Sequence, residues 1–525
     1  MRSKKALLNS AASLLLEFVT VICGFIVPRL IIGTYGSEVN ALTSSISQFL
    51  SYIALVEAGV GGVIRAALYK PLAEKNNAAM SSILKATENF FRKIAYIFIG
   101  YMVVLAAVFP VLVNKNFGWL FTASLVIIIG ISTFAQYYFG MTYTVLVQAD
   151  QRRYVTSFLH IGTITLNAIM VVIFIKLGAS IQILKLATSL IYVLRPLALN
   201  VYVKKKYNID HNAKPDNEAV AQRWDGLGHH IAYFVNLNTD VVILTIFSKI
   251  SSSLALAEVS VYTVYYSVVN GIMKVASSLS AGVEAALGDM IAKKEYENLN
   301  RKFNLYEFVS FNLVTVLFTC AGLLIVPFMN VYMKGVTDAD YIRPLFGYIL
   351  VLANAMYSIR IPYHSVVYAA GHYKQTRNGA FAEAGINVAF SAILVYFYGI
   401  VGVAVGTLVA MTFRTVQYVF YLSKNILNRS VKFFFKRMAV SILTVVVSAA
   451  VVHFIPSFGT KSYLGWVLYA CVVGIAVLAA TCGVDLIFCR KDFIGAVKVI
   501  KNAIFAKIKK NVLAMVYLIY WYYEL

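Results

Sequence analysis

The sequence predicts an all-α polytopic membrane protein with about 14 transmembrane helices. Of its 525 residues, 60% are hydrophobic and 13% are charged, and the mean hydropathy is +0.75, whereas soluble domains carry roughly 25% charged residues. The apolar residues fall in runs of about 20 residues or more, the length that a helix needs to cross a bilayer. Lys and Arg residues gather on alternate loops between these runs, which is typical of membrane topology.

About fourteen apolar runs, each bounded by charged residues or by Gly, Pro and Asn, are predicted as transmembrane spans. They lie at approximately 7–33, 41–65, 94–113, 119–147, 154–176, 181–203, 228–250, 259–290, 303–333, 345–370, 378–399, 402–423, 438–456 and 463–488. The first run is predicted to be a retained helix, because it is long and no small-residue cleavage site follows a short hydrophobic region.

The net charge of +23 follows this topology rather than a nucleic-acid-binding domain. The cations cluster on one set of loops, at 2–5, 70–93, 152–153, 204–206, 293–302, 374–377, 424–437 and 490–510. The opposite loops hold only isolated cations. By the positive-inside rule, both termini are predicted to be cytoplasmic and the number of crossings to be even.

An internal repeat emerges when the sequence is shifted by about 220 residues. The segment VLVQADQRRYV (145–155) then aligns with VVYAAGHYKQT (366–376). The same register pairs Asn167 with Asn387, Gly178 with Gly399 and, nearly, Arg195 with Arg414. Because each half holds six crossings, the sequence predicts two six-helix lobes related by a pseudo-twofold axis along the membrane normal.

The polar segments set the domain boundaries. The N-lobe is predicted at 1–206 and the C-lobe at 227–424, joined by a cytoplasmic linker at 207–226. Two further helices at 437–490 have no partner in the repeat. The stretch 491–525 places apolar residues at helical spacing among lysines and ends in LIYWYYEL, so it predicts a cytoplasmic interfacial amphipathic helix and tail.

Motifs of enzymes and metal proteins are missing from the sequence. No nucleophile–His–acid set, zinc signature or Walker loop occurs in a plausible context, and no extramembrane segment reaches domain size. The glycine-rich AGVGGV (58–63) lacks dinucleotide-binding spacing and instead suits close helix packing. The five cysteines lie in or beside apolar runs without metal-ligand spacing. We therefore expect transport rather than catalysis, with no cofactor or metal.

Cationic residues inside the predicted spans are candidates for substrate binding. Ionisable groups at membrane depth cost several kcal/mol, so they usually face a cavity, a partner or the interface. Arginine pairs bidentately with phosphate or carboxylate, which suggests an anionic, phosphate-bearing substrate. The candidates are Arg29, Arg195, Lys274, Arg360 and Arg414. The alternative is that each pairs with a neighbouring acid or snorkels to the interface.

Two acidic residues are candidates for ion coupling. Asp240, in FVNLNTDVVIL (234–244), lies in the first predicted helix of the C-lobe with two asparagines close in sequence. A coupling site for a proton or a cation needs such a buried acid. The alternative is an ion pair with Lys274 or another buried cation. Glu284 is a weaker candidate of the same kind.

Four stretches of the chain carry a family resemblance. They are GFIVPRLIIGTYGSEVNAL (24–42), QFLSYIALVEAGVGGVIRAALYKPLAEK (48–75), QADQRRY (148–154) with its counterpart AAGHYKQ (369–375), and NLNTDVVIL (236–244). They resemble the polysaccharide flippases, the Wzx-like or PST branch of the multidrug/oligosaccharidyl-lipid/polysaccharide (MOP) superfamily. The resemblance covers nearly the whole chain. It implies a MOP/MATE-like fold of two six-helix lobes, here with two extra C-terminal helices.

The chain is distantly similar to the lipid II flippases of the same superfamily, which share a Gly-Phe pair, an aromatic-Gly turn and a glutamate followed by small residues. The matching residues are Gly24 with Phe25, Tyr35 with Gly36, and Glu57. In that family the acid faces the central cavity, so the resemblance implies the same for Glu57 and makes it a substrate-binding candidate. Position 27 is valine where those flippases carry an arginine, and Arg29 is the nearest cation. The resemblance therefore leaves the diphosphate-binding residue unassigned.

The resemblance implies a flippase that moves undecaprenyl-diphosphate-linked oligosaccharide from the inner to the outer leaflet by alternating access, for capsule, exopolysaccharide or cell-wall polysaccharide biosynthesis. It implies a multi-pass protein of the bacterial cell membrane, with membrane lipids, H⁺ or Na⁺ and a polysaccharide polymerase as partners. One alternative is an ion-coupled multidrug or metabolite antiporter of the same superfamily. Another is a membrane glycosyltransferase or polymerase, whose acidic loop motif or large external loop the sequence lacks.

Overall fold

The computed structural model describes most of the chain, and every regular element in the described residues is helical. Those residues are 2–57, 60–113, 117–218, 227–250, 255–278, 283–456, 462–499 and 501–502. In chain order, helices α1 to α17 are Arg2–Tyr35, Ser37–Ser51, Ala54–Glu57, Val60–Glu74, Asn77–Leu112, Trp119–Ala135, Met141–Ala149, Arg153–Lys176, Ile181–Lys206, Leu227–Ile250, Ala257–Ser278, Glu284–Ala292, Tyr296–Tyr332, Pro344–Ala369, Tyr373–Asn425, Lys432–His453 and Tyr463–Phe488. A π-helical turn, Gln136–Gly140, joins α6 to α7.

These helices confirm the prediction of an all-α membrane protein. In the described part of the chain, 11 helical segments are long and apolar enough to cross a bilayer. One of them, α15, has 53 residues and holds two predicted spans, and α10 and α11 occupy two more. About fourteen crossings therefore fit the structure. Large apolar side chains are exposed on these helices, among them Leu14 at 70% and Ile475 at 68%, as lipid contact allows.

The long helix α15 turns back on itself at Gly399. This residue has φ of 55° and ψ of −135°, a conformation that residues with side chains avoid. The two halves pack closely: a Cβ on Gly402 would lie 2.2 Å from the Leu394 carbonyl oxygen, and a Cβ on Gly406 would lie 2.3 Å from Oγ of Ser391. The hairpin therefore depends on glycine, and it separates the two spans within α15.

The predicted span 41–65 is not one helix. A turn at Tyr52 and Ile53 separates α2 from α3, and α4 begins at Val60. The amide of Leu55 donates to the Tyr52 carbonyl at 3.1 Å, so backbone groups freed by the break are satisfied locally.

The chain forms two compact units. Unit 1 comprises Met1–Gly271, Tyr332–Leu350 and Thr376–Ala410. Within it, α1 packs on α8, α8 on α9, α6 on both α5 and α9, and α2 on α10. One of its apolar clusters joins the end of α1, through Ile31, to α8 and to Leu184 of α9.

Unit 2 comprises Ile272–Val331, Val351–Gln375 and Met411–Leu525. Within it, α16 packs on α17. Leu324 of α13 and Val473 of α17 belong to one of its apolar clusters. That cluster joins α13, a helix of the predicted C-lobe, to α16 and α17. The two helices that have no partner in the repeat, α16 and α17, therefore share a core with the C-lobe.

The predicted lobes, linker and C-terminal segments stay predictions, because the two units group residues by packing and not by the repeat. In the linker, residues 207–218 are described and 219–226 lie outside the described residues. The chain is again helical over 490–499, after α17. The predicted tail, 503–525, lies outside the described residues.

The first part of the linker packs on unit 1. The Tyr207 hydroxyl donates to Oδ2 of Asp150 at 2.7 Å, and Lys5 Nζ donates to Oδ1 at 3.0 Å. Burial alone would raise the pKa of the Asp150 carboxyl, but these hydrogen bonds hold it below its ordinary value. Farther along, the Asp210 amide donates to Oγ of Ser81 at 3.0 Å. The start of α1, the loop before α8 and the linker therefore meet at one carboxylate.

Candidate functional site

A line of hydrogen bonds within unit 1 joins α1 and α2 to α10, α11 and the segment 332–341. We call this line the seam. At its first point, Arg29 Nε donates to the Tyr332 carbonyl at 2.6 Å, and Arg29 Nη2 donates to the Lys334 carbonyl at 2.8 Å. The guanidinium of this predicted substrate-binding residue therefore holds main-chain carbonyls. Its substrate role stays a prediction.

The middle of the seam is a chain of hydroxyl, amide and carboxylate groups. The Ser37 amide and Oγ donate to the two oxygens of Asp338 at 2.5 and 2.8 Å. The Tyr341 hydroxyl donates to Ser37 Oγ at 2.8 Å and also lies 2.8 Å from Ser260 Oγ. Asn40 Nδ2 donates to Ser260 Oγ at 2.8 Å. Four of these residues, all but Asp338, are buried, so the bonds form out of water.

Two further bonds continue the seam between α2 and α10. Ser45 Oγ and Thr245 Oγ1 lie 2.7 Å apart, and Gln48 Nε2 donates to Asn238 Oδ1 at 2.5 Å. A typical hydrogen bond contributes only about 0.5–1.5 kcal/mol net, because water replaces the lost partner when the groups separate. A polar seam of this kind can therefore open into water and close again.

The second feature of unit 1 is a buried acid among neutral polar groups. Asp240, on α10, is 5% exposed. Its Oδ2 accepts hydrogen bonds from the Tyr262 hydroxyl at 2.7 Å and from Thr407 Oγ1 at 2.8 Å. Asn387 donates to Thr407 at 3.1 Å and lies near the Asp240 carboxylate. Three helices, α10, α11 and α15, thus supply oxygen and amide groups around one carboxylate, an arrangement suited to a proton or a small hard cation.

The π-helical turn carries a third set of polar contacts. The Tyr137 side chain lies beside the Glu57 carboxylate, whose Oε2 is buried and has no hydrogen-bond partner among the described residues. The neighbouring Gln136 accepts a hydrogen bond from Arg195 Nη2 at 2.9 Å. π-helical turns occur frequently at functional sites. Here the turn holds two residues predicted to bind substrate, Glu57 and Arg195, through adjacent side chains.

A close approach to α9 keeps this turn in place. A Cβ on Gly140 would lie 2.9 Å from Cβ of Pro196 and 2.9 Å from Nε2 of Gln136. The proline ring is rigid, so only glycine leaves room for α9 beside the turn. Pro196 directly follows Arg195, and the contact therefore sets the position of the arginine relative to Gln136.

In unit 2, two buried arginines meet around a histidine. Arg414, on α15, is 2% exposed, and Arg360, on α14, is 6% exposed. Both positive charges act on His364, which lies one helical turn after Arg360. The Arg414 guanidinium lies 4.1 Å from the ring centre of Tyr418 and donates to its hydroxyl at 2.8 Å. Two predicted substrate-binding cations therefore share one site.

Aromatic rings complete this site. The Arg360 guanidinium lies 4.5 Å from the ring centre of Tyr357, in cation–π contact. The His364 ring packs edge-on against Tyr368, with ring centres 4.9 Å apart. We call the group of Arg360, His364, Arg414 and these tyrosines the arginine site. Both guanidinium groups of the site therefore lie against aromatic rings.

The remaining candidates of the sequence lie in unit 2, outside the contacts described so far. Lys274 is half-buried on α11. Glu284 is exposed at the start of α12 and lies within electrostatic range of Tyr373. Their predicted roles in substrate binding and in ion coupling stay predictions.

Sequence reasoning missed several residues that the structure brings to these sites. Gln136 and Tyr137 gave no signal, because a π-helical turn has no sequence signature. Thr407 is one hydroxyl among many in an apolar span. Asn387 did carry a signal, since the internal repeat pairs it with Asn167.

Comparison with known proteins shows the fold. No protein-family model matches the chain, and no curated protein matches it. Among solved structures, it is similar to the lipid II flippase MurJ in an inward closed conformation, with a TM-score of 0.70 at 15% identity, over 92% of this chain and 99% of that chain. The resemblance to the MOP superfamily is therefore confirmed at the level of the fold.

Two other solved structures have the same fold. An inward-facing multidrug-resistance MATE transporter of the MOP superfamily gives a TM-score of 0.58 at 12% identity, over 77% of this chain and 93% of that chain. A MOP superfamily transporter from Pyrococcus furiosus, for which a binding pocket of reverse polarity suggests a different function, gives a TM-score of 0.56 at 14% identity. The match covers 82% of this chain and 97% of that chain. The chain is thus a multi-pass membrane protein with the fold of MOP transporters and flippases.

Proposed function

We propose that the protein is a flippase that carries undecaprenyl-diphosphate-linked oligosaccharide from the inner to the outer leaflet by alternating access. The observation that carries this proposal is the arginine site. Arg360 and Arg414 are both more than nine-tenths buried on helices of a membrane protein. Buried charges at membrane depth are costly and usually functional, and guanidinium groups match the oxygens of a diphosphate in geometry and charge.

The seam supports alternating access. With the topology predicted from the positive loops, the seam lies toward the outer surface, because Tyr35 ends the first crossing and Ser37 begins the second. The closed seam is proposed to be the state in which substrate is taken up from the cytoplasmic side. Opening the seam exchanges hydrogen bonds within the protein for bonds with water. Glu57 and Arg195, held by the π-helical turn, are proposed to line the path with Arg29 and Lys274.

The wider setting follows from the same proposal. The oligosaccharide would serve capsule, exopolysaccharide or cell-wall polysaccharide biosynthesis in a bacterial cell membrane, with cytoplasmic termini and a polysaccharide polymerase as a partner. The lipid tail stays in the bilayer while the diphosphate and sugars cross. No step needs bond chemistry, so the protein is proposed to be a transporter and not an enzyme.

A flipping assay tests the function directly. Purified protein is placed in liposomes that contain undecaprenyl diphosphate bearing one fluorescent sugar, and dithionite is added outside to quench the outer leaflet. We expect protein-containing liposomes to lose nearly all fluorescence, because lipid from the inner leaflet crosses. Protein-free liposomes lose only the outer-leaflet share. Equal loss from the two preparations would contradict the proposal.

An ion-coupled multidrug or metabolite antiporter is the second candidate, and Asp240 is the observation that favours it. Antiporters with cationic substrates need an acidic site, and Asp240 provides a buried carboxylate on α10. Efflux of a cationic dye from the same liposomes, without movement of the fluorescent lipid, would support this candidate instead.

Asp240 is proposed to be the ion-coupling residue in either case, with Glu284 as a weaker candidate. We expect Asp240→Asn to remove the stimulation of flipping by a Na⁺ or H⁺ gradient, because the carbonyl of asparagine still accepts the bonds from Tyr262 and Thr407 but the charge is lost. The measurement is the flipping rate with and without each gradient.

The matched control for this variant is Asp485→Asn. Asp485 is a second buried aspartate, 2% exposed on α17. Its variant should retain gradient stimulation. Full stimulation in Asp240→Asn would exclude Asp240 as the coupling residue.

A further inference from the structure

A cavity of about 110 Å³ lies beside the seam in unit 1. It is bounded by α1 at Gly24 to Pro28, by α2, by α11 and by Tyr332 at the end of α13. Asn40 and Tyr332 belong both to the seam and to the cavity wall. The cavity is partly open, so a group attached to a longer molecule can enter it.

The wall of the cavity is polar but uncharged. Its polar side chains are those of Asn40, Ser44, Thr263 and Ser267. The hydroxyls of Thr263 and Ser267 donate to main-chain carbonyls at 3.0 and 2.7 Å, so their oxygens still have lone pairs for an incoming donor. Among the described residues, no charged side chain lines the cavity. A phosphate that entered this cavity would lose its bound water, and no cation would compensate for the lost hydration. Burying the unpaired charge would therefore cost free energy.

Two aromatic rings supply the apolar part of the wall. Phe25 and Tyr332 meet edge to face, with ring centres 5.8 Å apart and planes at 85°. The Tyr332 hydroxyl donates to the main-chain carbonyl of Phe25 at 2.5 Å, which holds the Tyr332 ring against α1. A sugar ring has the complementary surface, because its C–H faces pack on aromatic rings while its hydroxyls exchange hydrogen bonds with neutral polar groups.

The volume limits the ligand to one ring. A dry cavity of about 150 Å³ holds one benzene molecule, so a cavity of 110 Å³ encloses only part of one pyranose ring, and the rest of the sugar extends through the open side of the cavity. A charged headgroup is disfavoured by the wall, and an oligosaccharide exceeds the space. The size and the chemistry together fit part of one uncharged monosaccharide unit.

We propose that this cavity is a subsite for one neutral pyranose unit of the glycan that the protein transports. The proposal rests on the flippase function above and adds to it where the sugar is held and which kind of sugar fits. The arginine site is not part of the cavity wall, so the subsite contributes to recognition of the glycan separately from recognition of the diphosphate. Uronic acids and other charged sugars are excluded from this position.

Gly24→Leu tests the subsite by filling it. A Cβ on Gly24 meets no atom within 4 Å, so a larger side chain enters open space. Leucine also has a better helix propensity than glycine, which favours folding of the variant. The matched control is Gly100→Leu on α5, where an added Cβ also meets no atom within 4 Å and which does not line the cavity.

Affinity is measured for two probes in detergent: undecaprenyl diphosphate, and undecaprenyl diphosphate bearing one N-acetylglucosamine. For the unmodified protein and the Gly100→Leu control, we expect the sugar to tighten binding by about tenfold, as a few hydrogen bonds and one ring contact provide. For Gly24→Leu we expect equal binding of both probes, at the affinity of the bare lipid. An undiminished sugar preference in Gly24→Leu, or no sugar preference in the unmodified protein, overturns the subsite.

The two proposals fail in different ways. If the unmodified protein binds both probes equally and flips labelled lipid, the flippase function stands and the subsite is wrong. If it binds neither probe, the flippase function is wrong and the subsite with it. A third probe that carries glucuronic acid instead should bind no more tightly than the bare lipid, and a preference for it would also overturn the subsite.

Discussion

Replacing Arg414 with alanine is expected to reduce polymer export about tenfold or more, because a hydrogen bond to a charged group contributes roughly 1.5–3 kcal/mol. Arg414 is 2% exposed, and its guanidinium lies against Tyr418. The diphosphate of the substrate carries the charge that this guanidinium would pair with. The measurement is export of polymer in cells whose own gene is deleted and replaced by the variant.

Two further variants separate binding from folding. Arg414→Lys keeps the charge but loses the planar fork of donors, so we expect partial export. Arg377→Ala removes an exposed arginine from the same helix, α15, and should export normally. Membrane amounts of each variant are compared by immunoblotting. Normal export by Arg414→Ala at an equal membrane amount would contradict the proposed diphosphate contact.

Replacing Glu307 with glutamine is expected to lower the free energy of unfolding by on the order of 3 to 5 kcal/mol, the usual cost of removing one partner from a buried ion pair. Glu307, on α13, is fully buried, and its Oε2 accepts from Arg429 Nη2 at 2.6 Å and from Arg437 Nε at 2.8 Å. Its other oxygen accepts from the Tyr363 hydroxyl. Glutamine keeps the shape and that last bond, but its NH₂ group then faces the two arginines and cannot accept from them, so the variant removes the charge and both arginine hydrogen bonds.

The control is Glu297→Gln, an exposed glutamate on the same helix, for which we expect no measurable change. Thermal unfolding of the two variants in one detergent gives the comparison. If Glu307→Gln unfolds at the temperature of the unmodified protein, the two arginines must have partners that make the carboxylate dispensable.

This ion cluster explains how the helices without a repeat partner are attached. Arg437 lies on α16 and also contacts Asp492, 3.3 Å away, in the helical stretch 490–499. In the same region, Phe308 of α13 packs in an apolar cluster with Ala496. Arg437 of α16 thus links the buried carboxylate of α13 to the helix that follows α17. Neither Glu307 nor Arg437 was singled out from the sequence, because each lies near the predicted edge of a span.

The candidate site was predictable in part. Arg360 and Arg414 were recognised as membrane cations from hydropathy alone, and the structure brings them together. Arg29 was recognised on the same grounds, yet its guanidinium binds the main-chain carbonyls of Tyr332, at the end of α13, and of Lys334. Hydropathy registers the cost of burying a charge, and this cost is the same whether a substrate or a carbonyl compensates for it.

The sequence by itself determined the membrane character, the helical class, the approximate spans and the identity of the buried ionisable residues. These properties are local, because the cost of placing each side chain in lipid adds up along a single run of residues. Only the tertiary structure decided which groups meet. Asp240 and Thr407 are hydrogen-bonded although 167 positions separate them in the sequence. Glu307 and Arg437 form an ion pair although 130 positions separate them. Such contacts depend on how separate helices pack, and a one-dimensional pattern does not contain that information.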